Sequence, residues 1–184
     1  EMVMAVMEKT IGETRVYTGK IIKVRVDEVQ LDDGRVTVRE VCEHPGGVAV
    51  LPLLPNGDVI LVRQYRYPYR AELLEVPAGK LEGGEAHLDC GIRELSEETG
   101  YRAGRMDYLG CMYPSAGYLN EKLHIYLARD LTAGEAHPDE GEHLAVEVLP
   151  LSELLRRVMA DEIHDAKTMV AAMKTKLLLD SEQK

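Results

Sequence analysis

Gly79-Lys80-Leu81-Glu82-Gly83-Gly84-Glu85, followed seven residues later by Arg93-Glu94-Leu95-Ser96-Glu97-Glu98-Thr99-Gly100, is the stretch whose reading decides this chain. Residues 85–99 have helical spacing, with Leu88, Ile92 and Leu95 recurring as an apolar stripe. Gly100 is placed to end that helix as a C-terminal cap. Glu94, Glu97 and Glu98 are three and four residues apart, so their carboxylates share one face. At about 100° per residue that face lies roughly 120° from the apolar stripe, so the helix can bury one side and present acids on another.

Two carboxylates about 6 Å apart repel by roughly 3 kcal/mol at an effective dielectric of about 20, and by far less in full solvation. The residues alone leave two readings: a solvated acidic face, or a site for a hard cation such as Mg²⁺ or Mn²⁺, which prefer oxygen ligands. Gly91 in mid-helix costs ~1 kcal/mol, which points to close backbone packing and a buried helix. The loop from Gly79 to Gly84 lets backbone approach an ion or a phosphate, and Ala78 could offer its carbonyl. Arg93 could bind phosphate. With Asp89 four residues before it and Glu85 near the same side, the favoured expectation is an ion pair that locks loop to helix.

Outward from this segment, Val48-Ala49-Val50-Leu51, the turn Pro55-Asn56-Gly57-Asp58 and Val59-Ile60-Leu61-Val62 read as a buried hairpin. Leu73, Leu74 and Val76 lead into Pro77-Ala78-Gly79, where a strand should stop. Further strands are expected at 107–113, 122–128 and 144–149. A helix opens at Pro150-Leu151-Ser152-Glu153 and reaches about Ala160, and an amphipathic helix covers 165–179. Residues 14–44 read as a hairpin: Ile22, Val24 and Val26 alternate with Lys23, Arg25 and Asp27, and Asp33-Gly34 turns the chain into Val36 and Val38. Its charged faces suggest a cover rather than the centre of a core. The pattern is that of a mixed, layered α/β domain. The expected division is 1–45, the hairpin region, and 46–184, the main domain, together one structural unit.

The 184 residues carry 22 Lys and Arg against 32 Asp and Glu, a formal charge of −10. That balance argues against a nucleic-acid groove and against docking on anionic lipid, whereas bound cations would let an acidic protein handle phosphates. Three cysteines, Cys42, Cys90 and Cys111, with no C-x-x-C pair, suggest reduced thiols in the cytoplasm. The apolar run Val48 to Pro55 is far shorter than a membrane span, and Met2 to Met7 is too short, and lacks the basic leader, for a signal peptide. Asp32-Asp33-Gly34 lacks the alternating oxygen ligands of an EF-hand loop.

Gly79, Glu85, Arg93-Glu94, Glu97-Glu98 and Gly100 fit the signature of the Nudix hydrolases, which the chain therefore resembles. Tyr101 departs from the aliphatic residue usual after the signature. The flanks Val62-Arg63-Gln64-Tyr65-Arg66, Tyr113 to Glu121 and His164-Asp165-Ala166-Lys167-Thr168 are similar to those of bacterial ADP-ribose pyrophosphatases; Ala116 stands where that group has a proline, with Pro114 two earlier. The resemblance covers the chain from about residue 14. It implies an α/β/α sandwich of mixed sheet with an N-terminal antiparallel hairpin involved in dimerisation. It also implies Mg²⁺-dependent hydrolysis of ADP-ribose to AMP and ribose 5-phosphate. Another nucleoside diphosphate sugar or a dinucleotide is the alternative substrate, and a non-catalytic nucleotide sensor the alternative role.

Carried over by position, the resemblance makes Glu94, Glu98 and the Ala78 carbonyl Mg²⁺ ligands (with Mn²⁺ as a substitute), Glu97 a further ligand or a catalytic partner, and Glu142 an additional ligand. Glu140, in the acidic loop His137-Pro138-Asp139-Glu140-Gly141-Glu142, aligns with the general base; that loop also reads as a plain solvated segment, and His143 as a surface residue. Arg39, Glu40, Arg66, Lys80 and Glu121 are implied substrate contacts, Glu121 on the terminal ribose side. Arg39 lies on the hairpin that in the family crosses to the other subunit of a homodimer. With no Phe or Trp, adenine stacking falls to a tyrosine, and Tyr17 is one candidate beside ordinary packing.

Overall fold

Val48-Ala49-Val50-Leu51 is fully buried in the computed structural model, which describes residues 7–137 and 144–183. Two compact units make up the chain: Glu1–Pro45 with Tyr113–Glu121, and Gly46–Met112 with Lys122–Lys184. Residues 113–121 thus group with the N-terminal segment.

In the first unit β1 (Lys9–Thr18), β2 (Lys23–Gln30) and β3 (Val36–Glu43) form an antiparallel sheet in that order. The expected hairpin is its β2–β3 pair, running from Lys23 opposite Glu43 to Gln30 opposite Val36, with Gly34 at φ 85° in the turn. β1 adds a third strand, bent by irregularities at Thr10/Gly12 and Arg15/Tyr17. Cross-strand ion pairs, Arg15 with Glu43 and Arg25 with Glu13 at 3.4 Å, account for the charges that made this region look unlike a core. Ile11, Val16, Val36 and Val38 are exposed, whereas Asp27 and Val29 are buried. The 113–121 segment joins β3 through Cys42 N–H to Tyr118 O at 2.7 Å and Asn120 N–H to Cys42 O at 3.1 Å.

The second unit holds two sheets. β4 (Gly47–Pro52) lies between β7 (Ala78–Lys80), antiparallel, and β9 (Leu123–Ala133), parallel, with β8 (Tyr101–Met112) beyond β9. β5 (Asp58–Arg66) pairs with β6 (Ala71–Glu75) and β10 (Ala145–Pro150) in an antiparallel sheet. The buried hairpin expected from Val48–Leu51 and Val59–Val62 is therefore not formed. The turn is present, with Gly57 N–H donating to Leu54 O at 3.0 Å, but β4 and β5 enter different sheets and touch through the Leu53–Val59 bridge. Both strands are apolar on both faces, and a place inside stacked layers buries what a two-stranded ribbon would leave wet.

The alternation of β4 sorts its side chains into two cores. Ala49 and Leu51 join Leu61, Ile125, Leu127, Leu154 of α2 (Leu151–Met159) and Ala171 and Ala172 of α3 (Ala166–Glu182). Val48 and Val50 join Tyr126 and Ala128 under α1 (His87–Thr99), which contributes Cys90 and Leu95. The layered α/β expectation holds.

The rotation of α1 differs from the expected one. Leu88 and Ile92 are 39% and 44% exposed, and the packed face carries Cys90, Gly91, Leu95, Glu98 and Thr99. A Cβ on Gly91 would stand 3.0 Å from Val48 Cγ1 and 3.3 Å from Val50 Cγ2, so the helix backbone lies directly on β4. Such close approach requires Gly91 to face the sheet, and the helix turns to satisfy it, carrying Glu98 inward. At the first residue of α1, His87 stacks on His124 of β9 with ring centroids 4.0 Å apart, and Tyr126 Oη lies 2.6 Å from His87 Nδ1.

Candidate active site

α1 ends where the sequence places its end: Gly100 has φ 75° and its N–H donates to Ser96 O at 2.9 Å. The last two turns of α1, which carry Glu94, Glu97 and Glu98, meet the short strand β7. Glu98 is 4% exposed, and its Oε2 accepts the Ala78 N–H at 3.0 Å. The Glu94 carboxylate occupies the space over Gly79; a Cβ there would stand 1.7 Å from Glu94 Oε1. The glycine that opens the motif is thus demanded by the carboxylate fifteen residues later.

Arg93 closes the loop onto the helix, as expected, through Glu85 rather than Asp89. Its Nε donates to Glu85 Oε1 at 2.9 Å and Nη2 to Oε2 at 3.1 Å. Nη1 bridges Glu94 Oε1 at 2.8 Å and Glu97 Oε2 at 3.0 Å. The hydrogen bonds from Arg93 hold the Glu85 carboxyl at about 2, and those carboxylates raise the guanidinium above its usual value. Burial, aided by Glu85 and Glu94, pushes the Cys90 thiol up to about 12, so it is no nucleophile at neutral pH.

Among the described residues no three His, Cys, Asp or Glu side chains already converge as a metal cluster. The donor set nevertheless fits a hard divalent cation: it is all carboxylate oxygen, two of its members, Glu94 and Glu97, share one guanidinium N–H group, and Gly79 leaves room where a side chain would block Glu94. Of the residues singled out in the sequence, Ala78, Lys80, Glu94, Glu97 and Glu98 come together here. Lys80 is exposed at the end of β7, and its carbonyl accepts from Arg93 Nη2 at 3.5 Å.

Arg66, at the end of β5, is committed to a forked pair with Glu75, at 2.8 and 2.7 Å. Glu75 is 1% exposed and also pairs with Lys167, which reaches Asp165 at 2.8 Å. Burial alone would raise the Glu75 carboxyl, but Arg66 and Lys167 outweigh it and hold it below the usual range. Sequence reasoning missed Glu75 and the role of this network. Its one local signal was Asp165 three residues before Thr168, an N-cap spacing that the structure realises at 3.0 Å.

Arg39, Glu40 and Glu121 belong to the first unit. Arg39 Nε donates to Glu8 Oε2 at 2.9 Å, Glu40 is exposed, and Glu121 Oε1 lies 3.2 Å from His44 Nδ1. Tyr17 is exposed on β1. Glu140, Glu142 and His143 lie outside the described residues. No helix among the described residues is long and apolar enough to cross a membrane.

The family model described as NUDIX domain matches residues 43–171, and that of the nucleoside diphosphate sugar hydrolase N-terminal domain matches 8–47. The chain is 40% identical over 166 residues to an ADP-ribose pyrophosphatase of Bacillus subtilis, covering 89% of this chain and 90% of that protein. It is 39% identical, with the same coverage, to a methanol dehydrogenase activator of Bacillus methanolicus. A solved structure titled as an ADP compounds hydrolase superposes with TM-score 0.84 at 22% identity, over 95% of both chains, a likeness of fold.

Proposed function

The chain belongs to the Nudix hydrolases, and from that premise we propose that it hydrolyses the pyrophosphate bond of ADP-ribose, giving AMP and ribose 5-phosphate, with Mg²⁺ or Mn²⁺ as cofactor. The observation that carries this reading is the arrangement at β7 and α1: Glu98 bonded to the Ala78 N–H, and Glu94 laid over Gly79. The 40% identity to an ADP-ribose pyrophosphatase supports the choice of substrate.

In this reading Glu94, Glu98 and the Ala78 carbonyl hold the ion, with Glu97 and Glu142 as further ligands. When bound, a divalent ion supplies Lewis-acid polarisation of phosphoryl oxygens and a water of lowered pKa. Glu140 takes the proton from the attacking water, and Glu97 assists from α1. Arg66, held flat by Glu75, presents its remaining N–H groups to a phosphate, and Lys80 adds a point charge. Arg39, Glu40 and Glu121 contact the nucleoside and the terminal ribose. The protein works as a cytoplasmic homodimer assembled through β1–β3. The thiols Cys42, Cys90 and Cys111 are unpaired, in keeping with that compartment.

Product analysis with ADP-ribose in ¹⁸O-labelled water tests the reading. AMP and ribose 5-phosphate, one of them labelled, are expected. A higher kcat/KM for another nucleoside diphosphate sugar would move the substrate. The Bacillus methanolicus match supports a second reading, in which the chain serves another enzyme as an activator; it is favoured if the isolated chain binds ADP-ribose with Mg²⁺ but releases no AMP.

A further inference from the structure

Where the chain steps from β6 to β7, and so from one sheet to the other, three consecutive residues are held by three different elements. Val76 N–H donates to Thr168 Oγ1 at 2.9 Å. Pro77 O accepts from Val50 N–H at 2.9 Å, and Ala78 N–H donates to Glu98 Oε2 at 3.0 Å. β4 and α1 are the expected neighbours of this step. Thr168 comes from the first turn of α3, 92 positions further along the chain.

Thr168 is fully buried and is itself held from behind. Its hydroxyl and its N–H both donate to Asp165 Oδ2, at 2.5 and 3.0 Å. Lys167 ties the same Asp165, at 2.8 Å, to the carboxylate of Glu75, the residue before Val76. A hydroxyl that gives its proton to Asp165 offers only lone pairs to the Val76 N–H, so the direction of that bond is set. Val76 has no exposed surface, so water cannot replace the bond. Valine has the branched shape of threonine but lacks its hydroxyl; the oxygen is what the backbone N–H of Val76 uses.

We propose that Thr168, backed by Asp165 and Lys167, is a positioning residue for the divalent-ion site: it fixes Val76-Pro77-Ala78 so that Ala78 stays against Glu98. This rests on the roles proposed above for Ala78 and Glu98. Thr168 touches neither ion nor substrate and acts through the backbone of this step.

Two readouts on the intact protein test it: Mn²⁺ affinity without substrate, by electron paramagnetic resonance, and the Mg²⁺ dependence of ADP-ribose turnover. Thr168→Val should weaken Mn²⁺ binding about tenfold and raise the half-activating Mg²⁺ concentration in step, as loss of a group supporting a metal ligand does. KM for ADP-ribose at saturating Mg²⁺ should stay within about twofold, because no substrate contact is removed. Thr168→Ser, which keeps the hydroxyl, should restore both metal readouts. A folded Thr168→Val protein with wild-type Mn²⁺ affinity, or a Thr168→Ser protein as impaired as Thr168→Val, would overturn the proposal. If Thr168→Val does not fold, Asp165→Asn carries the test, since it keeps an N-cap acceptor but loses the charge that Lys167 and the Thr168 hydroxyl use; weakened Mn²⁺ binding supports the proposal and unchanged binding overturns it. Because Mn²⁺ affinity is read without substrate, a wild-type protein that does not cleave ADP-ribose refutes the proposed reaction separately.

Discussion

Gly79 and Glu94 share one space: the carboxylate of the second stands where the first would carry a side chain, 1.7 Å from an ideal Cβ. Gly79→Ala therefore has to displace Glu94 or the β7 backbone. The expected result is a folded protein with kcat/KM for ADP-ribose at least tenfold lower, or ~1.4 kcal/mol of lost transition-state stabilisation. Circular dichroism and steady-state rates check it; unchanged rates would show that the placement of Glu94 over Gly79 does not govern turnover.

Glu98→Gln keeps an oxygen to accept the Ala78 N–H and removes the charge. The helix should stay docked while kcat/KM falls about a hundredfold, or ~3 kcal/mol. Turnover near that of the wild type at saturating Mg²⁺ would remove Glu98 from the ion site.

Glu75 links the fold to pH. Its folded carboxyl lies below the usual 4.5 because Arg66 and Lys167 outweigh the opposing effect of burial. A depressed folded value means that the group contributes stability in full above pH of about 4.5 and loses it as pH falls through the folded value. Glu75→Gln leaves Arg66 and Lys167 short of their anion, at an expected cost of about 3–5 kcal/mol at pH 7. Urea midpoints at descending pH should show the gap to wild type closing below about 4.5. A constant gap would mean that the charge of Glu75 is not what matters.

The first unit exposes Ile11, Val16, Val36 and Val38 on β1 and β3. Sedimentation at micromolar concentration is expected to show two subunits, and Val38→Glu to shift the distribution towards one. A stable monomer with full activity would contradict a site shared across a dimer.

What could be read from the sequence was what depends on near neighbours. The span of α1, its Gly100 cap and the Glu85–Arg93 lock all arise within sixteen residues, and Gly91 in mid-helix signals a close approach without naming its partners, Val48 and Val50 of β4. The rotation of α1 was misjudged because Leu88 and Ile92 outweighed Gly91 in the apolar count, although packing distance favours the glycine face. The β4–β5 hairpin failed for a related reason: its turn chemistry was right, but a strand apolar on both sides takes its partners from elsewhere in the chain. The Glu75–Lys167 and Val76–Thr168 contacts each span 92 positions, and no local pattern announces such partners. Glu140 and Glu142, the candidate base and the additional ligand, were reached through family resemblance, and the described residues do not include them.

Arg93 gives the acidic turn of α1 a resident counter-charge, bound to Glu85, Glu94 and Glu97 by the chain itself. The protein consequently need not await a dissolved ion to become compact, unlike a zinc finger, whose folding is its metal binding. With the ion proposed for this site, a chelator should silence the enzyme and leave its melting curve almost untouched. Under the proposed Mg²⁺ dependence, scarcity of the ion would idle the protein reversibly rather than deliver it to proteases.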